Sequence, residues 1–143
     1  IYTLSLHDAL PISIHLPATQ NRFALLRLLA NGTIDDSFGA GGRVQTAFVD
    51  RGDDAFGVAI QSDGKIVAAG RTNGQLNSNF AVARYDSKGD LDLSFSQDGK
   101  LTIDFFGSTD IAENVAIQSD GKIVLGGLAR DSIDGYGVAR VLP

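Results

Sequence analysis

A ten-residue string, VAIQSDGKIV, stands at residues 58–67 and again, unchanged, at 115–124. The offset is 57 residues. The same offset links Phe23 to Phe80, Arg27 to Arg84, Gly32 to Gly89, Asp35 to Asp92 and Phe38 to Phe95. It also links Gly42 to Gly99, Phe48 to Phe105 and Asp53 to Asp110. A third copy begins at Tyr136 and reaches Arg140, at an offset of 56. Self-similarity at a fixed period of this size marks an array of units that bury their apolar faces on one another.

Each unit reads as strand. In residues 80–85, Phe80, Val82 and Arg84 fall on one face and Ala81, Ala83 and Tyr85 on the other, a period of two. Residues 21–29 and 136–142 repeat the pattern. FALLRLLA at 23–30 is compatible with a helix, but its copies FAVARY and YGVARV carry β-branched residues and glycine, which favour strand. Turns follow at 30–33 and 87–90; in the first, Asn31-Gly32 is a leading hairpin dipeptide because both residues tolerate positive φ. Strand-like segments come next at 42–48 and 99–106. A hairpin is predicted over 55–70, turning at Ser62-Asp63-Gly64, with its copy over 113–127. About four strands fit each unit. No proline interrupts the chain between Pro17 and Pro143, so each strand keeps its full set of hydrogen-bond donors.

Composition narrows the function classes. Seventeen glycines in 143 residues, with only three prolines, suit many tight turns. A net charge of −5 disfavours a generic grip on nucleic-acid phosphates. There is no cysteine, hence no disulfide, thiolate metal site or cysteine nucleophile. No apolar run is long enough for a membrane helix.

Residues 1–13, IYTLSLHDALPIS, match nothing later in the chain and lack the basic start and apolar centre of a signal peptide. The string resembles a common sequencing-adapter primer read as protein, so 1–13 is expected to be a non-native segment. On that reading the fold begins near Ile14, His7 and Asp8 are not a catalytic pair, and the net charge without Asp8 is −4. Residues 14–143 are expected to form one β-repeat region: a partial unit at 14–70, a full unit at 71–127 and the start of a third at 128–143.

DGKIV at 63–67 and 120–124, FAVAR at 80–84, and the Gly-x-x-Asp-x-Ser-Phe turns at 32–38 and 89–95 together resemble the delta-60 repeat of bacterial proteins. Repeat two departs from the glycine-rich form that follows the turn, with Ser96-Gln97-Asp98 where repeat one has Gly39-Ala40-Gly41. The resemblance implies a β-propeller-like array of four-stranded blades in large proteins at the bacterial exterior. It carries no catalytic residues to this chain.

Packing follows from this blade reading. Phe23, Phe80 and Tyr136, with Val58, Ile60, Val115 and Ile117, are expected to pack between blades. Ala81, Ala83 and Ala139 would let the opposite faces approach closely. About two and a third blades are present, so the outermost faces would lack partners and the chain alone would be unstable or prone to aggregate through open strand edges.

The recurring arginines Arg27, Arg84 and Arg140 read as packing residues whose guanidinium groups bond a nearby carboxylate, with Asp35 and Asp92 as partners; a ring of arginines holding an anion is the sharper alternative. Asp86, Asp90 and Asp92 resemble a short calcium loop, but repeat one has Leu29 at the first of these places, and turn chemistry accounts for the residues. Ser37 and Ser94 recur without a histidine and read as turn caps. His15 lies beside the suspect junction. Asp53, Asp54, Asp110 and Glu113 read as solvated or turn-forming loop acids. Residues 39–42 lack the lysine and helix of a phosphate loop.

The sequence therefore predicts an all-β, propeller-like array, non-enzymatic, without cofactor, metal or catalytic residues, serving as an extracellular or cell-surface bacterial scaffold or interaction surface. Its partners would be further blades of the same parent protein, with a glycan or protein ligand as an addition and no nucleic acid. The alternative is a ligand-binding segment that takes a glycan or calcium through loops at 50–54 and 108–113.

Overall fold

The structure is a computed structural model and describes residues 9–11, 22–49, 52–73, 77–131 and 133–142. Ten strands occur among these residues: β1 (Ala9–Pro11), β2 (Phe23–Arg27), β3 (Arg43–Thr46), β4 (Asp53–Ile60), β5 (Ile66–Asn73), β6 (Ser78–Tyr85), β7 (Lys100–Ile103), β8 (Asp110–Ile117), β9 (Ile123–Arg130) and β10 (Asp134–Val141). They form three antiparallel sheets, ordered β1-β2-β3, β4-β5-β6-β7 and β8-β9-β10. Each is an up-and-down meander, and the middle sheet is a complete four-stranded blade. No helix occurs among the described residues, so the copies do decide the helix-compatible stretch at 23–30.

The two copies of VAIQSDGKIV take the same shape. Gln61 N donates to Lys65 O at 2.8 Å and Gln118 N to Lys122 O at 2.8 Å. Asp63 Oδ1 accepts the Lys65 amide and Asp120 Oδ1 the Lys122 amide. Each carboxylate thus closes its turn over a glycine at φ +83° or +82°. The ladders also slip at the same place, between Ala55 and Gly57 and between Ala112 and Asn114. That bulge drives the Asp54 carbonyl under Gly70 and the Ile111 carbonyl under Gly127. A Cβ there would lie 1.9 Å and 2.0 Å from these oxygens, so both positions require glycine for close approach.

Along β6 the period-two alternation sets Phe80 and Val82 on one face and Ala81 and Ala83 on the other. The bulky side of the first sheet, Phe23 and Leu25 with Phe38, meets Ala55, Ala68, Ala81, Ala83 and Tyr85 of the second. The bulky side of the second, Val67, Phe80 and Val82 with Phe95, meets Ala112, Ile123 and Leu125 of the third. Alanines let the sheets approach, and the aromatic rings fill what remains. Phe23 sits 4.8 Å from Phe48, and Phe80 5.0 Å from Phe105, ring to ring. Val58 and Ile60 pack into the first contact, and Val115, Ile117 and Ala139 into the second, as their alternation predicts.

Two expectations differ. Tyr136 does not pack between blades: it is 91% exposed and Val138 70%, whereas their counterparts Phe80 and Val82 are wholly buried. Among the described residues no sheet covers that face of β10. Ahead of Ile14, Ala9–Pro11 lies along β2, pairing with Leu25, Leu26 and Arg27. Backbone hydrogen bonding is blind to side chains, so an open strand edge accepts any extended segment. The blade and the sequence unit differ in phase as well: the complete blade starts at Asp53. A periodic sequence gives the length of a module but not the strand that opens it.

Candidate functional site

The repeated polar residues converge at one end of the sheets, where the strand that ends in arginine meets the Asp-x-Ser-Phe turn. Arg27 Nε donates to Asp35 Oδ2 at 2.8 Å, and Arg27 Nη2 to Ser37 Oγ at 3.0 Å. Asp35 Oδ1 accepts the Ser37 hydroxyl at 2.6 Å and the Ser37 amide at 3.0 Å. The guanidinium lies 4.7 Å from the centre of the Phe38 ring. In the second blade the same parts recur. Arg84 Nε donates to Asp92 Oδ2 at 2.8 Å and Nη2 to Ser94 Oγ at 3.2 Å, and the cation stands 4.8 Å from Phe95. Both clamps follow from spacing: the aspartate two residues before the serine makes an Asx turn, and the phenylalanine after it points into the sheet contact.

The clamp reaches across sheets. Arg27 Nη1 donates to Ser87 O at 2.6 Å, and Gly39 N to Lys88 O at 2.7 Å, both in the turn of the next blade. Gln61 Nε2 donates to Gly121 O at 3.1 Å between hairpin tips. Lys65 Nζ sits 3.2 Å from Asp92 Oδ2, joining the Asp-Gly-Lys hairpin to the clamp. The Ser94 hydroxyl, its amide, Lys65 and Arg84 hold the Asp92 carboxyl far below the usual carboxylate range. The Ser37 hydroxyl and amide, with Arg27, lower Asp35 in the same way.

Asp35 and Asp92 are thus the arginine partners that the spacing predicts. Arg140, at the same place on β10, is exposed. The calcium-like arrangement is not assembled: Asp86 Oδ1 already accepts the amides of Lys88 and Asp90, while Asp92 faces cations. No group of three His, Cys, Asp or Glu side chains converges among the described residues. Ser37 and Ser94 cap turns, as expected. His7, Asp8, His15 and Asp50 lie outside the described residues.

The loop acids are corrected. Asp53 and Asp110 open strands β4 and β8 and are almost fully buried; they are not solvated. Asp53 Oδ2 accepts the Phe48 amide at 2.7 Å, and Asp110 Oδ2 the Phe105 amide at 2.8 Å, so each carboxylate holds the segment that leads into its strand. Burial pushes the Asp53 carboxyl up. Asp54 pairs with Arg71 at 2.9 Å, and Glu113 sits exposed on the bulge. Asp53, in an acidic pair beside Gly52, and Asp110, after Ser108-Thr109, both read as loop residues, which hid the two buried aspartates. The 57-residue recurrence of Asp53 at Asp110 was the signal that could have found them.

The chain matches a family model at residues 14–38, 61–95 and 118–142, more than half its length. It belongs to the β-propeller family described as a domain of unknown function, DUF5122. The matched segments of this DUF5122 chain carry the hairpin tips, the arginine strands and the clamp turns. Their threefold recurrence agrees with the three sheets. A search of curated proteins returned no match.

Proposed function

We propose that this DUF5122 chain is a non-catalytic part of a β-propeller-like array, of the delta-60 type, that serves as a scaffold or interaction surface at the bacterial cell exterior. One observation carries the reading. The polar side chains that recur with the period bond to one another and to the neighbouring blade, so their chemistry is taken up in holding the array together. The ligand-binding alternative receives less support: of the four loop acids among the described residues, three, Asp53, Asp54 and Asp110, are buried or paired. Residues 1–13 remain a foreign segment on this reading, in keeping with a family match that starts at residue 14.

A glycan array together with calorimetric titration by calcium chloride tests the proposal. The scaffold reading expects no glycan retained and no calcium heat. Specific retention of one glycan class, weakened by Glu113→Ala, would replace it with the ligand-binding reading.

A further inference from the structure

Three buried oxygens lie in a row across the middle sheet. Asp53 pairs with Thr72, and Thr72 with Asn79, so the three side chains stand side by side on one face of β4, β5 and β6. That face also carries Ala55, Ala68 and Ala81, and it meets the first sheet. Asp53 is 1% exposed and Thr72 4%. Asp53 Oδ1, Thr72 Oγ1 and Asn79 Oδ1 are all buried without a hydrogen bond. In the third sheet the same row reads Asp110, Ala129 and Gly135. The aspartate therefore belongs to the repeat, where it holds the Phe48 or Phe105 amide, while the two polar neighbours belong to this joint alone.

Counting hydrogens decides what the row can hold. With Asp53 ionised, three oxygens share a single hydrogen, that of the Thr72 hydroxyl, and at least one buried acceptor is left bare. We propose that Asp53 Oδ1 takes a proton from solvent and donates it to Thr72 Oγ1, whose own hydrogen is donated to Asn79 Oδ1. One proton then satisfies all three oxygens, and the joint between the first and second sheets becomes a proton site. The charged groups nearest the row among the described residues are Arg22, exposed at the head of β2, Asp54, paired with Arg71, and Lys100, which donates to Ala47 O. None of them bonds Asp53. Burial, which raises the Asp53 carboxyl, works in the same direction, whereas a Thr72 hydroxyl donating to the carboxylate would pull it down. Because the folded value lies above 3.8, the proton stabilises this joint at low pH, and that contribution is lost as pH rises through the folded value. This goes beyond the scaffold reading and stands or falls apart from the glycan and calcium test.

Carbon-13 NMR of the Asp53 carboxyl through a pH titration of the 143-residue chain tests the proposal. The parent should titrate above 3.8. Thr72→Val removes the acceptor of the proton and should move the Asp53 titration down by about half a pH unit or more. Asn79→Ala lets the Thr72 hydroxyl turn onto the carboxylate and should also move it down. Thr72→Ser keeps the hydroxyl and should leave the titration where it is. An upward move in Thr72→Val overturns the proposal, since it means that the hydroxyl donates to an ionised Asp53, as it would with the Asn79 amide turned over or with a water in the row. No move in Thr72→Val overturns it as well. Should Thr72→Val fail to fold, Asn79→Ala decides alone, at a half-buried position, and an unchanged or raised titration there overturns the proposal.

Discussion

The Tyr85 hydroxyl donates to Thr46 Oγ1 at 2.8 Å, a buried bond between the second blade and the first. Tyr85 lies on the small face of β6, where neighbouring alanines leave room for one large ring. Burial raises its phenol well above the ordinary tyrosine value, so it stays a neutral donor. Tyr85→Phe keeps the ring but strands the Thr46 hydroxyl. The expected loss is about 1–2 kcal/mol of unfolding free energy, read by urea denaturation. A Tyr85→Phe, Thr46→Val double variant should recover part of it.

The clamp predicts a difference between arginine and lysine. Arg84 is buried, forks onto Asp92 and Ser94, and lies over Phe95. Arg84→Ala leaves the Asp92 carboxylate with one partner fewer and should cost about 3 kcal/mol or more. Arg84→Lys should recover little, since an ammonium cannot fork or stack. Arg84→Lys matching the parent in thermal melts would show that charge alone suffices.

Acid should loosen the clamp. The folded-state pKa values of Asp35 and Asp92 lie below the unfolded value of 3.8. Their stabilisation is therefore complete above that pH and is lost as pH falls through the folded values. Asp53 has the opposite sign: its raised value favours the fold at low pH and is lost as pH climbs above 3.8. Denaturation midpoints between pH 7 and 3 should fall less steeply for Asp92→Asn than for the parent, and more steeply for Asp53→Asn.

Glycine substitutions should separate crowding from backbone conformation. Gly70→Ala drives a methyl into the Asp54 carbonyl and should cost about 2–3 kcal/mol. Gly64→Ala meets open space, but at φ +83°, and should cost about 1 kcal/mol. Equal losses in thermal melts would contradict the crowding assigned to the bulge.

Phe80 and Tyr136 hold the same place in successive units, one wholly buried and one 91% exposed. Phe80→Ala should cost about 3–5 kcal/mol, while Tyr136→Ala should stay within about 0.5 kcal/mol. Urea denaturation of the two variants measures both.

The contrast between Phe80 and Tyr136 also marks how far the sequence reaches. Alternation along 80–85 identifies a strand with a bulky and a small side, and the copies rule out the helix that 23–30 alone permits. Alternation cannot say whether a neighbour is present to cover the bulky side. The arginine–aspartate pairing was legible because both partners share the period. The Lys65–Asp92 contact was not, since its partners sit in different parts of the unit and are brought together only by the fold. Asp53 and Asp110 were misread because buried carboxylates are rare, and composition weighs against them.

Arg27 and Gly39 grip the turn that holds Ser87 and Lys88, while their own turn resembles the one they grip. Plug and socket are therefore encoded in the same stretch of gene. Tandem duplication copies both halves together, so such a protein can lengthen without inventing a new joint. Drift is constrained for the same reason, because a change in one module's turn must suit the module upstream.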